Sequence, residues 1–113
     1  MHSEHAQTFS LSELARDFAT EVAGASERKK KNLTSYPGLQ TFLLYIRAQG
    51  TVPTHQVSGA ITVQTLIGHV HFTAAGNTHP MPTGAIIALA PGVPHELSAD
   101  GESVVLVTHA IGA

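Results

Sequence analysis

The feature that most constrains this chain is its punctuation. From Tyr36 onward, short apolar or alternating segments are cut by glycine and proline at intervals of about 8–12 residues. Pro37-Gly38 opens the region, and Leu39 to Ala48 is rich in apolar and aromatic residues before Gly50. Ala60 to Ile67 alternates, with Ile61, Val63 and Thr65 on one face and Thr62, Gln64 and Leu66 on the other. After Gly68, Val70 and Phe72 alternate with His69 and His71. Gly76-Asn77 and Met81-Pro82-Thr83-Gly84 are further turns. Ala85 to Ala90 is apolar on both faces and should be covered on both sides. Pro91-Gly92-Val93-Pro94 makes a rigid loop, and Asp100-Gly101 a hairpin turn before a last β-branched strand, Ser103 to Ile111. Such a chain folds as a β-sandwich or barrel.

The first third reads differently. Residues 1–9 look like a flexible N-terminus. Ser10 to Glu13 fits a capping box, with Ser10 as N-cap and Glu13 three positions on. Leu11, Leu14, Ala15, Phe18 and Val22 follow at helical spacing, and Gly24 is a stop, so one amphipathic helix covers about residues 11–23. Residues 26–32 hold four of the six basic side chains and read as a solvated linker. This divides the chain into a tail (1–9), a helix with a basic linker (10–35) and a barrel (36–113).

Composition narrows the function classes. A chain of 113 residues is one domain, and it can bury about two-thirds of its unfolded surface. Charged residues make up only 12%, against roughly a quarter in typical domains. A surface that poor in charge points to a homodimer that hides part of it. The net charge of −2 gives no pull toward nucleic acid or anionic membrane. No apolar run approaches the roughly 20 residues of a membrane span, and no secretory signal opens the sequence, so a cytoplasmic location is the expectation. The absence of cysteine excludes disulfides, thiol catalysis and cysteine-ligated metals. Gly-x-Ser-x-Gly, paired carboxylates and phosphate loops are missing as well.

Eight histidines, at positions 2, 5, 55, 69, 71, 79, 95 and 109, stand out against this plain background. Histidine is the commonest metal ligand and proton carrier near neutral pH. His69 and His71 form the only literal His-x-His, yet Val70 and Phe72 take the apolar face between them. The two histidines should therefore face outward, toward solvent or a subunit, or at most hold an adventitious surface metal. His109 shares a face with Val105 and Val107. If that face lines the barrel, His109 is near the cavity; if Val104 and Leu106 line it, His109 points out. Gln64 would reach the cavity only past a bulge. His2, His5 and His79 are assigned no role.

Residues 36–111 resemble the cupins, small jelly-roll barrels with two sequence motifs. In the first motif, Gly50 is followed by four residues and His55. Val57 stands at the second histidine position, Ile61 at the glutamate position, and Gly68 closes in register. In the second, Gly84 leads through five residues to Ala90-Pro91-Gly92, then Val93-Pro94 and His95, with Ala99 at the asparagine position. The resemblance implies an all-β, cupin-type jelly-roll barrel with one N-terminal helix outside it, like the small single-domain bacterial cupins. It also implies a metal centre of three histidines and a glutamate, of which only His55 and His95 remain. Val57 and Ile61 have no lone pair to offer, and protein sites normally supply three or four ligands.

Three readings of function follow. The first is a small-molecule-binding or sensing barrel without a cofactor. It would take an apolar or mixed-polarity ligand between Val57, Ile61, Val63 and Phe72, oriented by His55 and His95, with His109 as a third polar group. The second is a metal-dependent oxygenase or isomerase. It would hold iron, manganese, nickel or zinc on His55, His95 and a non-motif ligand such as His109. The third is a structural or partner-binding module with an inert interior.

Overall fold

The computed structural model describes residues 5–111. One helix, α1 (Leu11–Glu21), precedes nine strands: β1 (Lys29–Tyr36), β2 (Leu39–Ile46), β3 (Thr51–His55), β4 (Ile61–Ile67), β5 (His69–Ala74), β6 (Asn77–Pro82), β7 (Ile86–Leu89), β8 (His95–Ala99) and β9 (Ser103–Ala110). They form two antiparallel sheets, ordered β1-β2-β9-β4-β7 and β3-β8-β5-β6. The all-β jelly roll with an N-terminal helix is what the sequence predicts. Among the described residues no helix is long and apolar enough to cross a membrane.

The core lies between the sheets. Ile61 and Val63 from β4, Val70, Phe72 and Ala74 from β5, and Leu97 and Ala99 from β8 pack there with Ile46 and Val105. Alternation therefore assigns the inward faces of β4 and β5 correctly. A second apolar cluster covers the outer face of the five-stranded sheet, where Ala15 and Phe18 of α1 bury Leu43, Tyr45 and Val104. That sheet is thus covered on both faces, which explains why Leu43 to Ile46 and Val104 to Val107 are apolar without alternation.

The far end of α1 is anchored through Glu102 in the β8–β9 turn. Its Oε2 accepts the Tyr45 hydroxyl at 2.6 Å and the Gly24 N–H at 3.2 Å. These bonds hold the Glu102 carboxyl below the usual range. Burial first, and the bond to Glu102 second, raise the Tyr45 phenol.

Four local expectations need correction. The helix ends at Glu21, two residues early, where Val22 closes it with a bond to the Phe18 carbonyl. Ser10 is the N-cap by position, and its carbonyl accepts from the Leu14 N–H, but its side chain makes no capping bond. The basic linker is not irregular: Lys29, Lys30 and Lys31 open β1 and pair with Tyr45, Leu44 and Leu43. β1 is an edge strand, where exposed lysines are tolerated and discourage further pairing. Lys30 also sets its Nζ 4.3 Å from the centre of the Phe42 ring. Residues 29–36 thus form a strand of the five-stranded sheet. Finally, β7 is not covered on both sides: it is the other edge of its sheet, and Ile86 is 59% exposed. Of the tail read as flexible, residues 1–4 lie outside the described residues, while the Gln7 side chain accepts a 2.8 Å bond from the Thr34 hydroxyl.

Gly68 is a required residue at the β4–β5 turn. Its φ is +90°, and a Cβ there would lie 2.3 Å from the Ser103 hydroxyl oxygen. Only glycine fits both the angle and the space.

Candidate functional site

A cavity of about 120 Å³ lies between the sheets. All seven residues singled out from the sequence line it: His55, Val57, Ile61, Val63, Phe72, His95 and His109. Sequence reasoning missed Phe42 and Leu44 of β2, Val52, Leu97 and Val107. Val107 was within reach, because it shares a face with His109. Phe42 and Leu44 sit in a strand whose two faces are both apolar, so their sequence carried no signal of direction.

His55 reaches the cavity because of a bulge. Val52 pairs with Leu97, and the next aligned pair is His55 with His95, so β3 carries one residue more than β8 between them. In an unbroken strand Val52 and His55 would face opposite ways. The extra residue turns both toward the cavity. Pro53, which lacks an N–H for the ladder, sits inside this irregular stretch.

The two histidines are held alike. His55 Nδ1 lies 3.0 Å from the Pro53 carbonyl, and His95 Nδ1 lies 3.0 Å from the Val93 carbonyl. A carbonyl only accepts, so each Nδ1 carries the proton and donates. In the neutral ring each Nε2 is then left with a free lone pair. The rings meet edge to face with centroids 4.3 Å apart. His95 is 5% exposed, and its ring stacks on Phe72 at 5.5 Å. Burial first, and the neighbouring His55 as a further cause, lower its pKa below 6.5, against an opposing push from the Val93 carbonyl. His95 is therefore a neutral base at pH 7.

The position of His109, open from the sequence, is settled by pairing: it stands opposite Ile61, on the cavity side of β9. Its Nε2 is buried and has no hydrogen-bond partner among the described residues. Gly59 makes room beside it. A Cβ on residue 59 would fall 1.6 Å from the Ala110 carbonyl oxygen and 3.3 Å from His109 Nε2. Gln64 stays out of the cavity lining, and His69 and His71 take the opposite face of β5 from Phe72, as alternation predicts.

The cavity does not fit the metal centre that the cupin resemblance implies. Val57 and Ile61 occupy two ligand positions with aliphatic side chains, and the ligand nitrogens of His55, His95 and His109 do not all come within 4.8 Å of one another. What remains is a small apolar chamber with three imidazoles on its wall. In the neutral rings of His55 and His95, Nδ1 is taken by a carbonyl and Nε2 is the nitrogen left to accept a hydrogen bond.

Solved structures share the architecture. A conserved protein of unknown function from Streptococcus pyogenes is 20% identical, with a TM-score of 0.76 over 100% of this chain and 94% of its own. A cupin superfamily protein from Desulfitobacterium hafniense is 14% identical, with a TM-score of 0.79 over 99% of this chain and 95% of its own. Salicylate 1,2-dioxygenase from Pseudoaminobacter salicylatoxidans is 14% identical, with a TM-score of 0.74 over 92% of this chain and 32% of its own. At these identities the likeness is one of fold. No curated protein matches the sequence. Residues 39–109, which run from β2 through β9 and carry all three cavity histidines, match the AraC-like ligand binding domain, and the chain belongs to that family of cupin-type domains.

Proposed function

We propose that this chain is a small-molecule-binding or sensing barrel. Its ligand has a compact apolar body and one or two polar groups, and it seats between the sheets. The observation that carries this reading is the buried, unpartnered Nε2 of His109, on a wall whose other polar side chains are only His55 and His95. Buried polar atoms are nearly always hydrogen-bonded, so an orphan on a residue that lines the cavity asks for a partner from outside the chain. The lone pairs on His55 and His95 add two acceptors for a ligand O–H or N–H.

Size bounds the ligand. An engineered cavity of about 150 Å³ in another protein holds benzene. A chamber of about 120 Å³ suits a single ring or a branched chain of similar bulk, with any tail leaving past the exposed His55. The family description supports ligand binding in the same general sense. A metal-dependent oxygenase or isomerase would need His55, His95 and His109 together on one ion, and their ligand nitrogens do not all come within 4.8 Å of one another. An inert module leaves the orphan nitrogen unexplained.

The test is ligand-observed NMR with phenol, benzoate and 4-methylimidazole against the wild type, His95→Ala and His109→Phe. Binding of at least one probe by the wild type and its loss in both variants, each still folded, is the expected result. Probes that bind all three proteins alike, or none of them, would refute the reading.

We also infer that the chain pairs with a second copy. The low charge content and the exposed apolar edge at β7, headed by Ile86, support self-association.

A further inference from the structure

The outer face of the four-stranded sheet carries a second histidine cluster. His69 and His71 project from the same face of β5, and their rings lie 5.0 Å apart. Asp100 joins them from the turn after β8. Among the described residues, His69, His71 and Asp100 form the one group of three or more such side chains whose ligand atoms all lie within 4.8 Å of one another. We propose that they form a site for a first-row divalent cation of the zinc type, on the reverse side of β5 from the cavity.

Three observations support it. The first is the donor set. Two imidazoles and one carboxylate suit zinc, cobalt or nickel, whereas calcium and magnesium want mostly oxygen ligands.

The second is preorganisation. The Asp100 N–H donates to the His69 carbonyl at 3.2 Å, and the Asp100 carbonyl accepts from the Gln49 side chain at 2.9 Å and the Gln49 N–H at 3.3 Å. The main chain bearing the carboxylate is thus pinned to the strand bearing the histidines. Gly68 sets the start of that strand.

The third is a leftover group. His71 Nε2 lies 3.1 Å from both oxygens of Asp100, so a hydrogen bond from the ring to the carboxylate accounts for these two residues. It does not account for His69. The His69 ring makes no hydrogen bond among the described residues, yet it is aimed at the pair. Zinc–nitrogen bonds near 2.1 Å require tetrahedral donors about 3.4 Å apart. The side chains of His71 and Asp100, 38% and 62% exposed, have the freedom to close to that distance.

A bound ion would clasp β5 to the β8–β9 turn. The same strand presents Phe72, the stacking partner of His95, on its other face. The site therefore braces the wall of the cavity without entering it.

The test is calorimetric titration of the full, untagged chain with Zn²⁺, alongside Co²⁺ absorption spectroscopy. The expected result is one equivalent of Zn²⁺ bound, a ligand-field band with Co²⁺, and a higher melting temperature with either ion. His69→Ala and Asp100→Asn should each weaken binding at least about tenfold while leaving metal-free melting close to wild type. The double variants His55→Ala/His95→Ala and His2→Ala/His5→Ala should bind as the wild type does. No Zn²⁺ binding by the wild type, binding that survives both His69→Ala and Asp100→Asn, or loss in either double variant would overturn the proposal.

Discussion

His55 and His95 are direct cross-strand partners whose rings touch 4.3 Å apart, each with Nδ1 bonded to the carbonyl two residues before it. One is exposed at the rim and the other is buried against Phe72. The pair thus spans the distance from solvent to core, and its inner member stays neutral at pH 7 because burial disfavours the charged ring.

That neutrality sets a pH dependence. The His95 pKa in the fold lies below the ordinary 6.5. As pH falls below about 6.5, the unfolded chain takes up this proton before the folded chain does. The contribution is complete above about pH 6.5 and is lost as pH drops toward the folded value. His95→Gln should flatten this part of the stability profile relative to wild type, as read from guanidinium midpoints on both sides of pH 6.5. An unchanged slope would contradict a buried, neutral His95. His55→Ala should raise the His95 pKa in an NMR titration, since it removes the electrostatic effect of the neighbouring imidazole that lowers it.

Phe18 is the main contact by which α1 covers the outer face of the five-stranded sheet. Phe18→Ala should destabilise the fold by about 3–5 kcal/mol in denaturant unfolding. Because that face is opposite the cavity, probe binding by the folded fraction should be unchanged.

Gly59→Ala forces a methyl group to 1.6 Å from the Ala110 carbonyl oxygen, so the backbone at the end of β9 has to move. The variant should lose about 1–3 kcal/mol, and the His109 ring resonances should shift more than those of His95. Equal stability with an unmoved His109 would show that the approach of the two segments is looser than this.

Ile86 tests self-association. Light scattering at micromolar concentration should report a dimer for the wild type and a monomer for Ile86→Asp. A wild-type monomer would sink the expectation, and a dimer that persists in the variant would move the interface away from β7.

Alternation and motif spacing were enough to place His55, His95, Ile61, Val63 and Phe72 around one chamber. Each lies on a strand with a plain inward face or at a motif position, and side-chain direction along a strand repeats every two residues. They also turned His69 and His71 outward, because Val70 and Phe72 claimed the inside. Periodicity speaks only when one face is buried and the other is not. In β2 and β9 the helix buries the outer face while the cavity takes the inner one, so the direction of His109 was silent until β9 was seen paired with β4. The strand in the lysine run came from its register with β2, not from its own residues. The exposure of Ile86 came from its place at a sheet edge. Asp100 met His69 and His71 only because β8 and β5 are neighbours, a long-range pairing that no local pattern encodes. The sequence by itself determined which residues could line a barrel. The tertiary structure decided which face of each doubly covered strand did so, because that depends on what packs against it from elsewhere in the chain.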